Sequence, residues 1–139
     1  MFGHILVAID GSENSLRVLS LARSLARTTD SRLILIYAFP HIPRFLGGDY
    51  FEDLAARHRR EAERVMEAAA APLVEEGLPY ETEILEGPAA EAILNIAEVR
   101  GCGLIMIGAK GYTQLEGHLL GSVSDRVVKH SKCPVLVVK

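Results

Sequence analysis

Short unbroken apolar runs, separated by helical stretches, constrain this chain more than any other feature. Ile5-Leu6-Val7-Ala8-Ile9 is the first, ended abruptly by Asp10-Gly11-Ser12. Residues 32–38, 103–108 and 134–138 repeat the pattern, the last as Pro-Val-Leu-Val-Val. Runs of this length without polar alternation suit strands covered on both faces. Between them lie stretches of helical periodicity. From 14 to 28, Leu16, Leu19, Ala22, Leu25 and Ala26 recur three or four apart, with Arg17, Arg23 and Arg27 turned outward. Ser12 or Asn14 supplies an N-cap. The order predicts a single domain, residues 1–139, of alternating strands and helices. The expected fold is α/β: one open five-stranded, mostly parallel sheet with helices on both faces, because parallel neighbours need crossover connections.

The remaining segments fit this plan. Residues 39–49 hold Pro40, Pro43, Gly47 and Gly48 and read as an irregular excursion. A charged helix is predicted over 50–76, with Pro72 kinking or breaking it near its end and Gly77 as its stop. Tyr80-Glu81-Thr82-Glu83-Ile84-Leu85 is polar enough to be a sheet edge. Pro88 opens a helix over 89–100. A glycine-punctuated segment, 108–121, leads into a last helix over 122–131.

Composition narrows function. At 139 residues, 49% apolar and 24% charged, the chain closes one core and is not disordered. A net charge of -3 makes neither nucleic acid nor an anionic membrane the expected partner. No apolar run is long enough to span a bilayer. The N-terminal residues lack a secretory pattern. Two cysteines, Cys102 and Cys133, read as reduced thiols. Together these place the protein in the cytoplasm. Several familiar sites are missing from the sequence: no GxxxxGK[ST], no GxSxG, no HExxH and no CxxC.

An open parallel sheet binds ligands beyond the carboxyl ends of its strands, where strand order reverses. Two unusual loops fall there: Asp10-Gly11-Ser12, and the segment from Gly108 through Lys110 and Gly111 to Gly121-Ser122-Val123-Ser124. Glycines admit close backbone approach, a helix N-terminus favours an anion, and the Ser122 and Ser124 hydroxyls add donors. Lys110 adds a positive charge. Asp10 is suited to a ribose hydroxyl or a phosphate-held metal. On spacing alone the same residues read equally well as turn material, with Ser122 a simple N-cap.

The segment Gly108-x2-Gly111-x9-Gly121-Ser122 resembles the G-x2-G-x9-G-[ST] signature of ATP-binding universal stress proteins. The likeness runs from Ile5–Ser12 to Cys133–Val138, nearly the whole chain. It implies an adenine-nucleotide fold, Rossmann-like, with ATP and Mg2+ or Mn2+ as cofactors. By resemblance, Ala8 lines the adenosine pocket and Asp10 sits beside the ribose and, through phosphate, the metal. Ala38 packs on adenine, and Ile107 and Gly108 lie near adenine and ribose. Gly111, Gly121, Ser122, Val123 and Ser124 form the phosphate cradle. The resemblance also implies a homodimer paired through Val135 to Val138 and a role in stress response or signalling.

Three positions depart from the family pattern. Lys110 replaces a frequent histidine, Ala8 replaces a proline found in some members, and Pro88 follows Gly87 directly. The expected activity is binding with slow hydrolysis at most. Glu116 is the one acidic loop residue kept as a candidate base, and a solvated carboxylate is its plainer reading. The alternative is a nucleotide-free interaction protein using residues 39–51 and the arginines Arg57, Arg59, Arg60 and Arg64. A hydrolase of the wider adenine-nucleotide group is the weakest reading, because HxGH and SGGxDS are absent.

Overall fold

The computed structural model describes residues 1–110 and 120–139. Its elements alternate as the sequence predicts: β1 His4–Ala8, α1 Glu13–Thr29, β2 Arg32–Phe39, a 3₁₀ turn Arg44–Leu46, α2 Gly48–Glu76, β3 Tyr80–Glu86, α3 Ala89–Val99, β4 Leu104–Gly108, α4 Ser122–His130 and β5 Val135–Val138. The sheet runs β3-β2-β1-β4-β5, and all four pairings are parallel. The polar strand β3 forms one edge, as its composition requires.

Strand alternation divides the core in two. Ile5, Val7, Leu33, Leu35, Leu104 and Met106 face one side, packed by Val18, Leu19 and Ala22 of α1 and by Met66, Ala69 and Leu73 of α2. Leu6, Ile34, Ile36, Ile105 and Ile107 face the other, covered by Ala90, Ile93, Ile96 and Ala97 of α3 and by Val127 of α4. Each fully buried aliphatic side chain contributes about 1.5–3 kcal/mol, so the unbroken apolar runs are required by burial from above and below. Cys102 belongs to the second layer. Burial pushes its thiol up to about 11, which keeps it protonated and unreactive at neutral pH.

Local signals set the boundaries. Ser12 caps α1, its hydroxyl accepting from the Ser15 amide at 3.2 Å. Asp30 ends α1 in the left-handed region, and Gly77 ends α2 in the same way. Pro72 does not break α2, which continues to Glu76. Only one turn follows the proline, and Leu73 is buried there, so packing holds it. The excursion after β2 is less irregular than expected. It carries the 3₁₀ turn, and α2 begins at Gly48.

Gly103 faces a backbone that cannot yield. Its amide donates to the His4 carbonyl at 3.0 Å, and a Cβ there would lie 2.3 Å from the Phe2 carbonyl oxygen. Gly103→Ala is therefore expected to destabilise the protein by about 1–3 kcal/mol. Urea unfolding measures this, and a wild-type midpoint would contradict the packing.

Candidate functional site

The strand order places a crevice where topology demands one. From β1 the chain moves outward through β2 to β3, then returns to place β4 on the other side of β1. Loops leaving β1 and β4 therefore diverge, opening a gap at their carboxyl ends. A cleft of about 300 Å³ lies there. Its lining includes Ala8, Asp10, Ala38, Ile107, Gly108, Lys110, Gly121, Ser122, Val123 and Ser124. These residues come from the ends of three strands, the turns that follow β1 and β4, and the start of a helix far away in sequence. Gly111 and Glu116 lie outside the described residues.

The walls differ in character. Ile36, Ala38, Ile93 and Ile107 make an apolar side suited to a flat ring, with small Ala8 leaving space beside them. Among the described residues the lining also carries one formal charge of each sign, from Asp10 and Lys110. Asp10 Oδ1 accepts from the Ser12 amide at 2.9 Å and from the Ser12 hydroxyl at 2.5 Å. Gly11 sits at φ 83° between them, a conformation glycine adopts without strain. The turn thus serves both readings of these residues. It caps α1, and it fixes the carboxylate at the cleft.

The start of α4 answers the question left open by spacing about Ser122. Gly121 is the N-cap and has no side chain to bond the first-turn amides. Ser122 is the first helical residue and is exposed. The amides of residues 122–124 have no carbonyl one turn earlier within the helix, so they form an anion-accepting end. Ser124 behaves differently from an open donor. Its hydroxyl is buried and directed at the Ala109 and Gly121 carbonyls, at 3.0 and 3.1 Å. Its role is to fasten the helix start to the end of β4. Across the helix interface, Glu91 accepts from Arg126. The α3 backbone amide, and then Arg126, hold the Glu91 carboxyl below its ordinary range.

The sequence leaves further lining residues unmarked, among them Ile36, Tyr37, Pro40, Ala89 and Ile93. Pro40 lay inside the supposed irregular excursion, and Ala89 follows Gly87-Pro88, a loop singled out only for its unusual spacing. Asn14 was also missed as more than a cap candidate. Its side-chain amide donates to the Lys110 carbonyl at 3.0 Å and reaches the Val138 carbonyl at 3.4 Å. Gly108 makes room for it, since a Cβ at 108 would stand 2.4 Å from Asn14 Nδ2.

The sequence profile of the universal stress protein family matches residues 1–139. The chain belongs to the universal stress protein family. A family member from Thermus aquaticus is 36% identical over the full length of both chains. The solved structure of MJ0577, a universal stress protein of Methanocaldococcus jannaschii, superposes with a TM-score of 0.88. It is 31% identical, and the match covers 100% of this chain and 96% of that one. Another universal stress protein, solved in complex with cAMP, matches at a TM-score of 0.65 and 27% identity, over 99% of this chain and 97% of that one. The universal stress protein fold expected from the sequence is therefore the fold of this chain.

Two serines in one helical turn should separate in their effects. Ser124→Ala removes a buried hydroxyl bridging two carbonyls and is expected to cost about 1 kcal/mol. Ser122→Ala, at an exposed first-turn position, should stay within about 0.5 kcal/mol of wild type. Denaturant unfolding of both variants checks this, and equal effects would contradict the assignment of Ser124 as a fastener.

Proposed function

We propose that this universal stress protein binds ATP in the cleft at the β1/β4 switch point, with little or slow hydrolysis. The observation that carries the reading is that apolar side chains and a helix start whose N-cap is a glycine line one cleft. Adenine suits the side formed by Ala38 and Ile107, and the ribose suits the region of Asp10 and Gly108. The phosphates suit the amides of residues 122–124, with Lys110 adding charge and Gly111 supplying the remainder of the cradle. Gly121 itself adds no side chain there. The solved relative in complex with cAMP supports an adenine nucleotide in a chain of this family.

Magnesium or manganese fits the donor set in one way only. Among the described residues no group of three His, Cys, Asp or Glu side chains comes together as a metal site. Among the described residues, Asp10 is the single carboxylate lining the cleft. One carboxylate plus ligand phosphates is an ordinary arrangement for Mg2+, and the ion would neutralise phosphate charge there. The remainder of the reading is a single domain over 1–139, working in the cytoplasm as a homodimer joined through β5 in stress response or signalling. Val135 to Val138 form a short sheet edge, with Leu136 exposed, which suits pairing with a second copy. Among the described residues no helix is long and apolar enough to cross a membrane. The second reading, an interaction protein with no nucleotide, draws on Phe45 and Tyr50, large exposed apolar side chains within residues 39–51.

Melting with and without ATP and Mg2+ distinguishes the two readings. ATP at a hundred times its Kd adds about 2.7 kcal/mol. For a domain of this size that is a rise of several degrees. Gly121→Val and Ser122→Ala should reduce the rise while leaving the ligand-free protein folded. An unmoved melting temperature in wild type, or wild-type ATP affinity in Gly121→Val, would refute the proposed cradle.

A further inference from the structure

The cleft is built on a small set of main-chain groups that converge at one peptide. The Ala109 amide donates to the Val138 carbonyl at 2.8 Å. The Ala109 carbonyl accepts from the Gly121 amide at 2.6 Å and from the Ser124 hydroxyl at 3.0 Å. The start of α4 therefore hangs from Ala109, and Ala109 hangs from the end of β5. Asn14, from the first turn of α1, closes the arrangement from the opposite side. Its Nδ2 donates to the carbonyls of Lys110 and Val138, the residues that flank this junction. Two acceptors fix which end of the amide faces them. Its Oδ1 is buried and has no partner among the described residues, so the two donated bonds are what hold the side chain in place.

Resting on the ATP-binding reading, we infer that Asn14 is a positioning residue that couples the nucleotide cleft to the end of β5. It does not line the cleft. It acts by setting the main chain at Lys110 and Val138, and thereby the placement of the α4 amides. Energetic coupling of this kind is carried by contiguous hydrogen bonds between elements that move together. Any displacement of β5, including one imposed by a partner copy on that edge, reaches the α4 N-terminus through the Val138 carbonyl. Ligand anchored at α4 acts on β5 by the same route, because coupling is reciprocal.

Gly108 provides the internal control. A methyl group at 108 would press on Asn14 Nδ2, so Gly108→Ala and Asn14→Ala should disturb the same contact from its two sides. The isosteric Asn14→Asp keeps the shape but sets carboxylate oxygens against two carbonyls.

The experiment has two arms. In the first, amide hydrogen exchange is followed by NMR on the ligand-free protein. Asn14→Ala and Asn14→Asp should speed exchange at Ala109 and Gly121 at least tenfold, while Leu6 and Ile34 in the sheet centre stay as in wild type. Unchanged exchange at Ala109 and Gly121 overturns the inference, and so does a uniform acceleration that includes Leu6 and Ile34. In the second arm, ATP affinity is measured by calorimetry for wild type, both single alanine variants and the double variant. Each single variant should weaken ATP about tenfold, and the double variant should be no weaker than the worse single one. Wild-type affinity in Asn14→Ala, or additive losses in the double variant, overturns the coupling. A wild-type protein that binds no ATP refutes the ATP reading and the coupling with it, whereas the exchange arm still decides whether Asn14 holds the junction.

Discussion

Ile5, Leu6 and Val7 have no exposed surface, and their strand is flanked on both sides. That double burial is the constraint from which the cleft follows. The neighbouring strands β2 and β4 run parallel to β1, so the chain leaves β1 through a crossover helix rather than a hairpin. It does so twice in one direction, to β2 and β3, before β4 takes the vacant side. The gap between diverging loops is the geometric result. Hydrophobic burial, which recognises no ligand, thus decides where the cleft lies.

Polar interactions then shape what burial has positioned. The Asp10–Ser12 bonds turn the chain from β1 into α1 and set a carboxylate on one rim. The Ala109 peptide ties β4, β5 and α4 together, with Ser124 reinforcing it. Each of these bonds is short-range and local, yet the residues involved span most of the chain. Among the described residues, the result is a cleft lined both by apolar side chains and by the start of a helix. Such a lining matches a ligand that is itself half aromatic and half anionic.

Much of this was legible in the sequence. Strand identity came from runs whose burial tolerates no polar residue, and β3 declared itself an edge through Glu81 and Glu83. Residues that line the cleft were legible wherever a glycine or a short polar turn ended a strand or opened a helix, as at Asp10, Gly108 and Gly121. Three things were hidden. Tyr37 and Ile93 look like ordinary core residues, since nothing local marks the end of a buried face that opens on a cleft. Ser124 reads as a ligand donor until its hydroxyl is seen to face two carbonyls. Asn14 reads as a cap because its partners, Lys110 and Val138, lie 96 and 124 positions away. Pro72 misled for the opposite reason. A local breaker was overridden by the packing of one final turn, with Leu73 buried.

The proposed ATP site lies across the switch point, with the phosphates at the start of α4. A crystal structure of the protein grown with ATP and Mg2+ tests that most directly. The expected density places the adenine against Ala38 and Ile107 and the phosphates within hydrogen-bond distance of the residue 122–124 amides. Density for ATP elsewhere on the molecule, or a cleft filled by the protein's own side chains, would contradict it.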